Sequence, residues 1–270
     1  MNHETTTLAA TFRKLHHSED PLILANVWDA GTARLIARLG ARAIATTSAG
    51  VAWSHGYPDG DRLPVRLLLA TITRIAESIS IPLTVDIEGG YSSDLTAVGE
   101  AVASVLDAGA VGINIEDGTG TPDLLCAKIE RAKQAAARHG VDLFVNARTD
   151  VYLRQLTPEA GRLDEVFRRA ERYRAAGADG LFVPGVVVPS DIAALCTGVG
   201  LPLNVLAWPG LPAVAELKRL GVRRFSAGST LAQILYGRAK AFATALLTGG
   251  DWSTFDGERL TYAEINDLMA

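Results

Sequence analysis

The chain is poor in the residues that signal an oxidised or nucleic-acid-binding protein. Cysteine occurs only as Cys126 and Cys196. Both fall in runs with helical spacing, so they read as packed thiols, and a disulfide framework is excluded. Twenty-six Lys and Arg are outnumbered by 30 Asp and Glu, for a net charge of −4, which leaves no basic field for a polyanion and argues against nucleic acid as a partner. No apolar run approaches the eighteen or so residues of a membrane span, and no membrane partner is expected. The first twenty residues include Glu4, Glu19 and Asp20 and lack the apolar stretch of a signal peptide, so a cytoplasmic location is expected. Proline-rich, low-complexity and charge-run segments are missing, and with them any internal linker.

What is present is alternation. Eight short apolar segments with strand character, at Ile23–Val27, Ala43–Thr47, Leu83–Ile87, Gly112–Glu116, Leu143–Ala147, Gly180–Val183, Leu203–Leu206 and Arg224–Ser226, are separated by amphipathic helical stretches. Four helix-to-strand joints resemble one another: Ala37–Ile44, Leu106–Ile113, Arg174–Leu181 and Lys218–Phe225. In each, a glycine (Gly40, Gly109, Gly177, Gly221) follows the helix where the backbone must turn left-handed, a conformation that carries no Cβ penalty for glycine. Eight such units in 270 residues predict one α/β domain over 1–270, a (β/α)8 TIM barrel, which needs about 250 residues. An open doubly wound sheet would show a glycine-rich phosphate loop after its first strand, and Val27-Trp28-Asp29-Ala30-Gly31 stands there instead. An extra N-terminal helix is expected at Thr7–His17 and a C-terminal helical extension after Ala232–Leu247, with Thr261 and Glu264 as a capping box for a helix ending at Met269.

Barrel chemistry sits at the C-terminal ends of the strands, and here those ends are polar. The third and fourth carry Asp86, Glu88, Glu116 and Asp117. Side chains alternate along a strand, so Asp86 and Glu88 are expected to leave the same face, as are Asn114 and Glu116, and three carboxylates then converge at the ends of two neighbouring strands. Carboxylates brought together either take up protons or share a cation, and oxygen-only ligands favour magnesium, manganese or calcium. Arg148, after the fifth strand, offers a planar fork for a carboxylate. Several other residues have plainer readings. Asp29 suits a helix cap, Tyr57, Tyr91, Tyr152 and His55 suit packing at the rim, and Ser226–Ser229 suits a capped turn as well as an anion site.

The chain resembles the isocitrate lyase and phosphoenolpyruvate mutase superfamily from about Leu22 to Ala241. The likeness is carried by Asn26–Asp29, Ser48–Gly50, Gly56-Tyr57-Pro58-Asp59, Asp86-Ile87-Glu88, Ile115-Glu116-Asp117 and Ala147-Arg148-Thr149-Asp150. It implies a magnesium site at Asp86, Glu88 and Glu116 with Asp59 beside it, a substrate-carboxylate arginine at Arg148, and a loop at Ser48, Ala49 and Gly50 for the substrate's other oxygens. Ser48, Asp59 and Arg148 are thus the expected catalytic residues. At Glu88 the arm is one methylene longer than the aspartate of many members. The resemblance also implies a homo-oligomer, commonly a homotetramer exchanging its last barrel helix. A 2-oxo acid chelates magnesium through carboxylate and keto oxygens, and the cation stabilises the enolate left when a bond to C3 breaks. The expected activity is therefore a magnesium-dependent lyase acting on a small 2-oxo or 2-hydroxy dicarboxylate, with oxaloacetate-like decarboxylation favoured. Phosphorus–carbon chemistry on a phosphonopyruvate-like acid is the second reading, and a catalytically silent metabolite-binding barrel the third. Lyases of the family carry a Lys-Lys/Arg-Cys-Gly-His gating signature after the fourth strand; here Asp117-Gly118-Thr119-Gly120-Thr121-Pro122-Asp123 stands in its place. Isocitrate and methylisocitrate cleavage are accordingly not expected.

Overall fold

The computed structural model describes residues 3–251 and 253–270. Helix α1 (His3–Leu15) precedes strand β1 (Leu22–Leu24), and α2 (Ala30–Arg38), β2 (Ile44–Ala45), α3 (Ser48–Ser54) and α4 (Val65–Glu77) follow. The regular alternation then runs β3 (Leu83–Asp86), α5 (Leu95–Asp107), β4 (Gly112–Glu116), α6 (Pro122–His139), β5 (Phe144–Arg148) and α7 (Glu159–Ala175). It continues with β6 (Gly180–Phe182), α8 (Pro189–Gly198), β7 (Leu203–Leu206), α9 (Val214–Leu220), β8 (Arg224–Ser226) and α10 (Thr230–Leu247). A 3-10 turn (Ser253–Glu258) and α11 (Tyr262–Met269) end it.

All strand pairs are parallel, in the order β1-β8-β7-β6-β5-β4-β3-β2. A bridge between Val27 and Thr46 joins the two ends of that order: Val27 N–H donates to Ala45 O at 2.9 Å and Thr47 N–H to Val27 O at 2.9 Å. The sheet thus rolls into the (β/α)8 barrel that the alternation predicts. Every one of the eight predicted strands overlaps an observed one, and Gly40, Gly109, Gly177 and Gly221 take φ of 90°, 101°, 104° and 96°. The N-terminal helix starts and ends earlier than expected, whereas the Thr261/Glu264 capping box forms as read.

Helix α1 closes the N-terminal end of the barrel. Its Phe12 and the following His16 are buried, and His16 stacks on Phe144 of β5 with ring centroids 3.9 Å apart. Phe12 enters because Gly112 has no side chain; a Cβ there would lie 2.5 Å from the Phe12 ring. Above this plug the interior is polar. Asn146 donates to Asn114 and Asn204 at 2.9 and 3.0 Å, and the fully buried Arg224 donates to Asn114 at 3.0 Å. Burial lowers the Arg224 pKa to about 9, and burial with the nearby Arg224 charge lowers His16 to about 3. His16 is therefore neutral: its Nδ1–H donates to Phe12 O at 2.9 Å, and its Nε2 faces Arg224 Nη1 at 3.4 Å. At the other end of the chain, α10 buries only Ala232 while exposing Ile234, Leu235, Tyr236, Phe242, Leu246 and Leu247. Among the described residues no helix is long and apolar enough to cross a membrane.

Candidate active site

The catalytic end of the barrel is assembled on β2 to β5. Strand β2 runs into α3 through Thr47, whose side chain accepts from Gly50 N–H at 3.5 Å and caps the helix. Ser48, the first helical residue, donates its hydroxyl to Asp86 Oδ2 at 3.3 Å, and Asp86 N–H donates to Thr46 Oγ1 at 2.9 Å. Ser48 and Asp86 are therefore brought together as expected. Gly50 is pressed against Trp28, with no room for a side chain, and its amide is already satisfied by Thr47. Of the Ser48–Gly50 segment it is the Ser48 hydroxyl that reaches the carboxylates.

Strand register sets two tiers across the mouth. Asp86 is level with Asn114 and Asn146, and one step higher Glu116 is level with Arg148 and Phe182. The Arg148 Nη1 lies 2.7 Å from Glu116 Oε2, its Nε and Nη2 bind both oxygens of Asp150 at 2.7 and 3.1 Å, and its plane covers the Phe182 ring at 5.8 Å. Asp150 and Glu116 together engage three of the five N–H groups of the guanidinium, leaving two for a ligand.

The expectation that strand alternation delivers Glu88 beside Asp86 needs revision. Strand β3 ends at Asp86, and Glu88 lies beyond it with a left-handed backbone, φ 52°. Its carboxylate is buried all the same. Oε2 accepts from Gly60 N–H at 2.8 Å and from Asp61 N–H, whereas Oε1 is buried without a hydrogen bond, as is the Tyr91 hydroxyl, on which the Glu88 charge acts. Burial is the main cause that raises the three carboxyl groups. It lifts Glu116 to about 8, against the opposing pull of Arg148 and with added repulsion from Asp86, Asp150 and Glu88. Glu88 rises to about 7, where the Asp61 amide opposes and Asp59, Asp86 and Asp61 repel. Asp86 shifts up too, opposed by Arg148 and pushed further by Asp59. Asp59 itself is exposed at the rim, close enough for its charge to be felt by both Asp86 and Glu88.

Mutually repelling, desolvated carboxyls with one orphaned oxygen fit a divalent cation, and the all-oxygen donor set suits magnesium or manganese. Among the described residues no three acidic, cysteine or histidine side chains converge tightly enough to grip an ion unaided. The residues that would hold such an ion are Asp86, Glu116 and Glu88, with water completing the shell, since magnesium keeps part of its hydration.

Asp117 is a hub that the sequence reading passed over. Its Oδ2 accepts from Arg169 Nη1 at 2.7 Å and from the Tyr173 hydroxyl at 2.6 Å, and its Oδ1 accepts from Asp150 N–H at 2.9 Å. It ties α7 to the end of β5 and so supports Asp150, which in turn orients Arg148. The i, i+4 spacing of Arg169 and Tyr173 on one helix face was the available signal. The plainer readings hold elsewhere. Asp29 caps α2 in a capping box with Thr32, His55 contacts Thr71 at 2.8 Å, and the Tyr152 hydroxyl donates to Asp191 at 2.8 Å. The amides of Ala227 and Gly228 are both consumed by Asn26 Oδ1, at 3.0 and 2.9 Å, which removes them from any anion site. Burial raises the Cys126 thiol, contrary to what a nucleophile or proton relay needs.

The family model described as phosphoenolpyruvate phosphomutase matches residues 12–247. The chain belongs to that family. Within this family and the wider isocitrate lyase superfamily, an uncharacterized protein of Mycobacterium tuberculosis is 40% identical over 224 residues, 81% of this chain and 82% of that one. The 2-methylisocitrate lyase of Escherichia coli is 31% identical over 71% of this chain and 67% of its own length. The crystal structure of a provisionally assigned phosphonomutase from Burkholderia cenocepacia superposes with a TM-score of 0.83 at 41% identity, covering 91% of this chain and all 100% of that one. More distant are the oxaloacetate decarboxylase of Paraburkholderia xenovorans, 28% identical over 83% of this chain and 76% of its own, and a phosphonopyruvate hydrolase crystallised with oxalate and Mg++. The latter superposes with a TM-score of 0.82 at 25% identity, covering 96% of this chain and 94% of that one. Relatives in this family are lyases and mutases, so both carbon–carbon and phosphorus–carbon chemistry occur around this fold.

Proposed function

We propose that this chain is a magnesium-dependent carbon–carbon lyase acting on a small 2-oxo or 2-hydroxy dicarboxylate, with decarboxylation of an oxaloacetate-like acid as the favoured reaction. The observation that carries this reading is the set of Asp86, Glu116 and Glu88, the first two half-buried and the third buried, all pushed up by desolvation and mutual repulsion, with the Arg148 guanidinium 2.7 Å from Glu116 and close enough to act on Asp86. Magnesium, when bound, supplies positive charge against which the carboxylates ionise and a 2-oxo acid is polarised. The two uncommitted N–H groups of Arg148 bind and orient the substrate carboxylate, and Asp150 holds the guanidinium plane fixed while they do so. Ser48 keeps Asp86 turned toward the pocket through its 3.3 Å hydrogen bond. Asp59, at the rim, completes the acidic ring. Loop residues 117–121 and the start of α6 carry no histidine, cysteine or lysine before Cys126, so isocitrate-type cleavage by a loop thiol is not part of this reading.

Two other readings have an observation in their favour. The description of the family and the 41% identical Burkholderia structure favour a mutase or hydrolase acting on a phosphorus–carbon bond. The internal pairing of Arg148 with Asp150 and Glu116 favours a silent, metabolite-binding barrel. A panel of 2-oxo, 2-hydroxy and phosphono acids, assayed with and without magnesium for carbon dioxide, pyruvate, glyoxylate, phosphate and phosphoenolpyruvate, separates all three. Release of inorganic phosphate, isomerisation of phosphonopyruvate to phosphoenolpyruvate, or binding without turnover would sink the lyase reading. Cys126→Ser retains near wild-type turnover on this reading, and cleavage of isocitrate that depends on Cys126 would refute it.

A homo-oligomer, by family resemblance a tetramer, is part of the proposal, as is a cytoplasmic location. Its structural support is an apolar groove of about 490 Å³ between α2 and α9, lined by Ile23, Ala25, Ile36, Leu39, Val214 and Ala215. That is where an eighth barrel helix would pack, yet α10 leaves its own apolar side chains exposed. The α10 helix of a second copy would fill the groove and cover both surfaces. Light scattering on the purified protein checks this, and a monomer at micromolar concentration would refute it.

A further inference from the structure

Three of the four non-glycine residues with left-handed backbone among the described residues meet at one place. They are Asp61 (φ 55°), Glu88 (φ 52°) and Tyr91 (φ 58°). Such conformations are unfavourable for residues with a Cβ and persist where surrounding contacts enforce them. Here two turns enforce each other. The carboxylate of Glu88 takes the amides of Gly60 and Asp61 on the 57–61 turn, and the carboxylate of Asp61 takes the amide of Tyr91 on the 88–91 turn at 3.0 Å. The contact is too close for a side chain at Gly89, where a Cβ would lie 2.7 Å from Asp61 Oδ2. Lys128, buried on α6, braces the same turn from behind by donating to Gly89 O at 2.5 Å. Besides the Asp61–Tyr91 contact, the 57–61 turn is held among the described residues by Tyr57 N–H donating to Ala52 O at 2.9 Å, at its start.

We infer that Glu88 is a positioning residue whose carboxylate, through Oε2, clasps the 57–61 turn onto the barrel rim and thereby places Asp59 over the carboxylate pocket. The length of the side chain decides this. Glu88 leaves a left-handed turn that has already carried the chain past the end of β3, and its two methylenes span to the facing amides while Oε1 remains directed into the buried pocket. An aspartate at this position has one methylene fewer and falls short of Gly60 and Asp61. The clasp is a property of the protein without any metal or substrate, so it stands or falls separately from the proposed lyase activity.

The test is amide hydrogen exchange at Gly60 and Asp61 in the metal-free protein, with the strand amides of Ile113 and Val145 as internal references for an intact barrel. In the wild type both clasped amides exchange slowly. In Glu88→Ala they exchange about tenfold or more faster, the effect of losing a charge-assisted acceptor, and Glu88→Asp does the same despite keeping its charge. Glu88→Gln, whose amide oxygen has the same reach and two lone pairs, restores protection to within about threefold of wild type. References unchanged in all variants show that the barrel itself has not opened. Magnesium titration of the same proteins supplies the contrast. If Glu88→Gln and Glu88→Ala weaken magnesium equally while both leave Gly60 and Asp61 at the wild-type exchange rate, Glu88 is a ligand alone and the inference is overturned. It is equally overturned if Glu88→Asp keeps full protection, because reach would then not matter.

Discussion

Replacing Asp117 with alanine should be among the most damaging single changes that leave the proposed metal ligands untouched. The carboxylate is fully buried and serves three donors: the Arg169 guanidinium, the Tyr173 hydroxyl and the Asp150 amide. Removing one partner of a buried ion pair costs about 3–5 kcal/mol, and each buried donor left without an acceptor costs about 1–3 kcal/mol. These costs do not add in full, because Arg169 keeps Glu165 at 2.7 Å and three donors share one carboxylate. The expected loss is about 3–4 kcal/mol for Asp117→Ala. Tyr173→Phe, which removes one hydroxyl and leaves the ion pair, should lose about 1 kcal/mol. Urea unfolding followed by circular dichroism measures both, and at a slope near 3 kcal/mol/M the alanine variant's midpoint falls by about 1 M. The effect should also reach the site, because Asp150 loses its amide anchor and Arg148 its fixed plane. An Asp117→Ala protein within about 1 kcal/mol of wild type, or no more affected than Tyr173→Phe, would refute the hub.

Asp86→Ala should abolish magnesium binding in titration calorimetry without lowering stability, since a desolvated carboxyl and its repulsion with Glu116 and Asp59 are removed together; unchanged magnesium affinity would end the metal proposal. Arg148→Lys should raise KM and depress turnover, because an ammonium cannot span the two oxygens of Asp150 and a substrate carboxylate at once, and full activity in that variant would rule out the clamp. The pH dependence of stability should carry the signature of His16. Its folded pKa of about 3 lies below the ordinary 6.5, so the unfolded chain binds the extra proton between those values. Stability from this group is fully present above pH 6.5 and is lost as pH falls toward 3, by about 2 kcal/mol at pH 5. Urea midpoints from pH 7 to 5 in wild type and His16→Gln check this: an equally steep decline in the variant would assign the acid lability elsewhere.

The parts of this fold written in local pattern were legible. Short strand-like runs of three to five residues located all eight strands, and the glycines after four helices located the left-handed turns, because both signals are set by near neighbours along the chain. That Asp86, Glu116, Ser48 and Arg148 gather at one end of the barrel was legible for the same reason, since all are polar residues at the ends of apolar strands. Glu88 was found but misplaced. Alternation assumes extended backbone, and Gly89-Gly90 immediately after it were the warning that the strand had ended. The Asp117 hub was missed since its side-chain partners lie 52 and 56 residues away: the i, i+4 spacing of Arg169 and Tyr173 marks one helix face but not what that face meets. Arg224 was counted as part of a strand and nothing more; that it lies wholly inside the barrel, paired with asparagine and histidine and, among the described residues, with no carboxylate within bonding distance, depends on the closure of the whole ring.

The plug beneath the barrel has a consequence for the order in which the chain can be assembled. Helix α1 leaves the ribosome before every strand of the barrel, yet the surfaces that receive it are supplied by Phe144 and by Arg224, the latter 208 residues after His16. Until β8 has been made, Phe12 and His16 have only part of their socket, and the polar interior around Asn114 and Asn146 stays open to water from below. Contacts of such long sequence separation form late, after the loops between them have already been closed. The stopper is thus synthesised first and seated last, and a nascent barrel spends most of its synthesis open at its lower end.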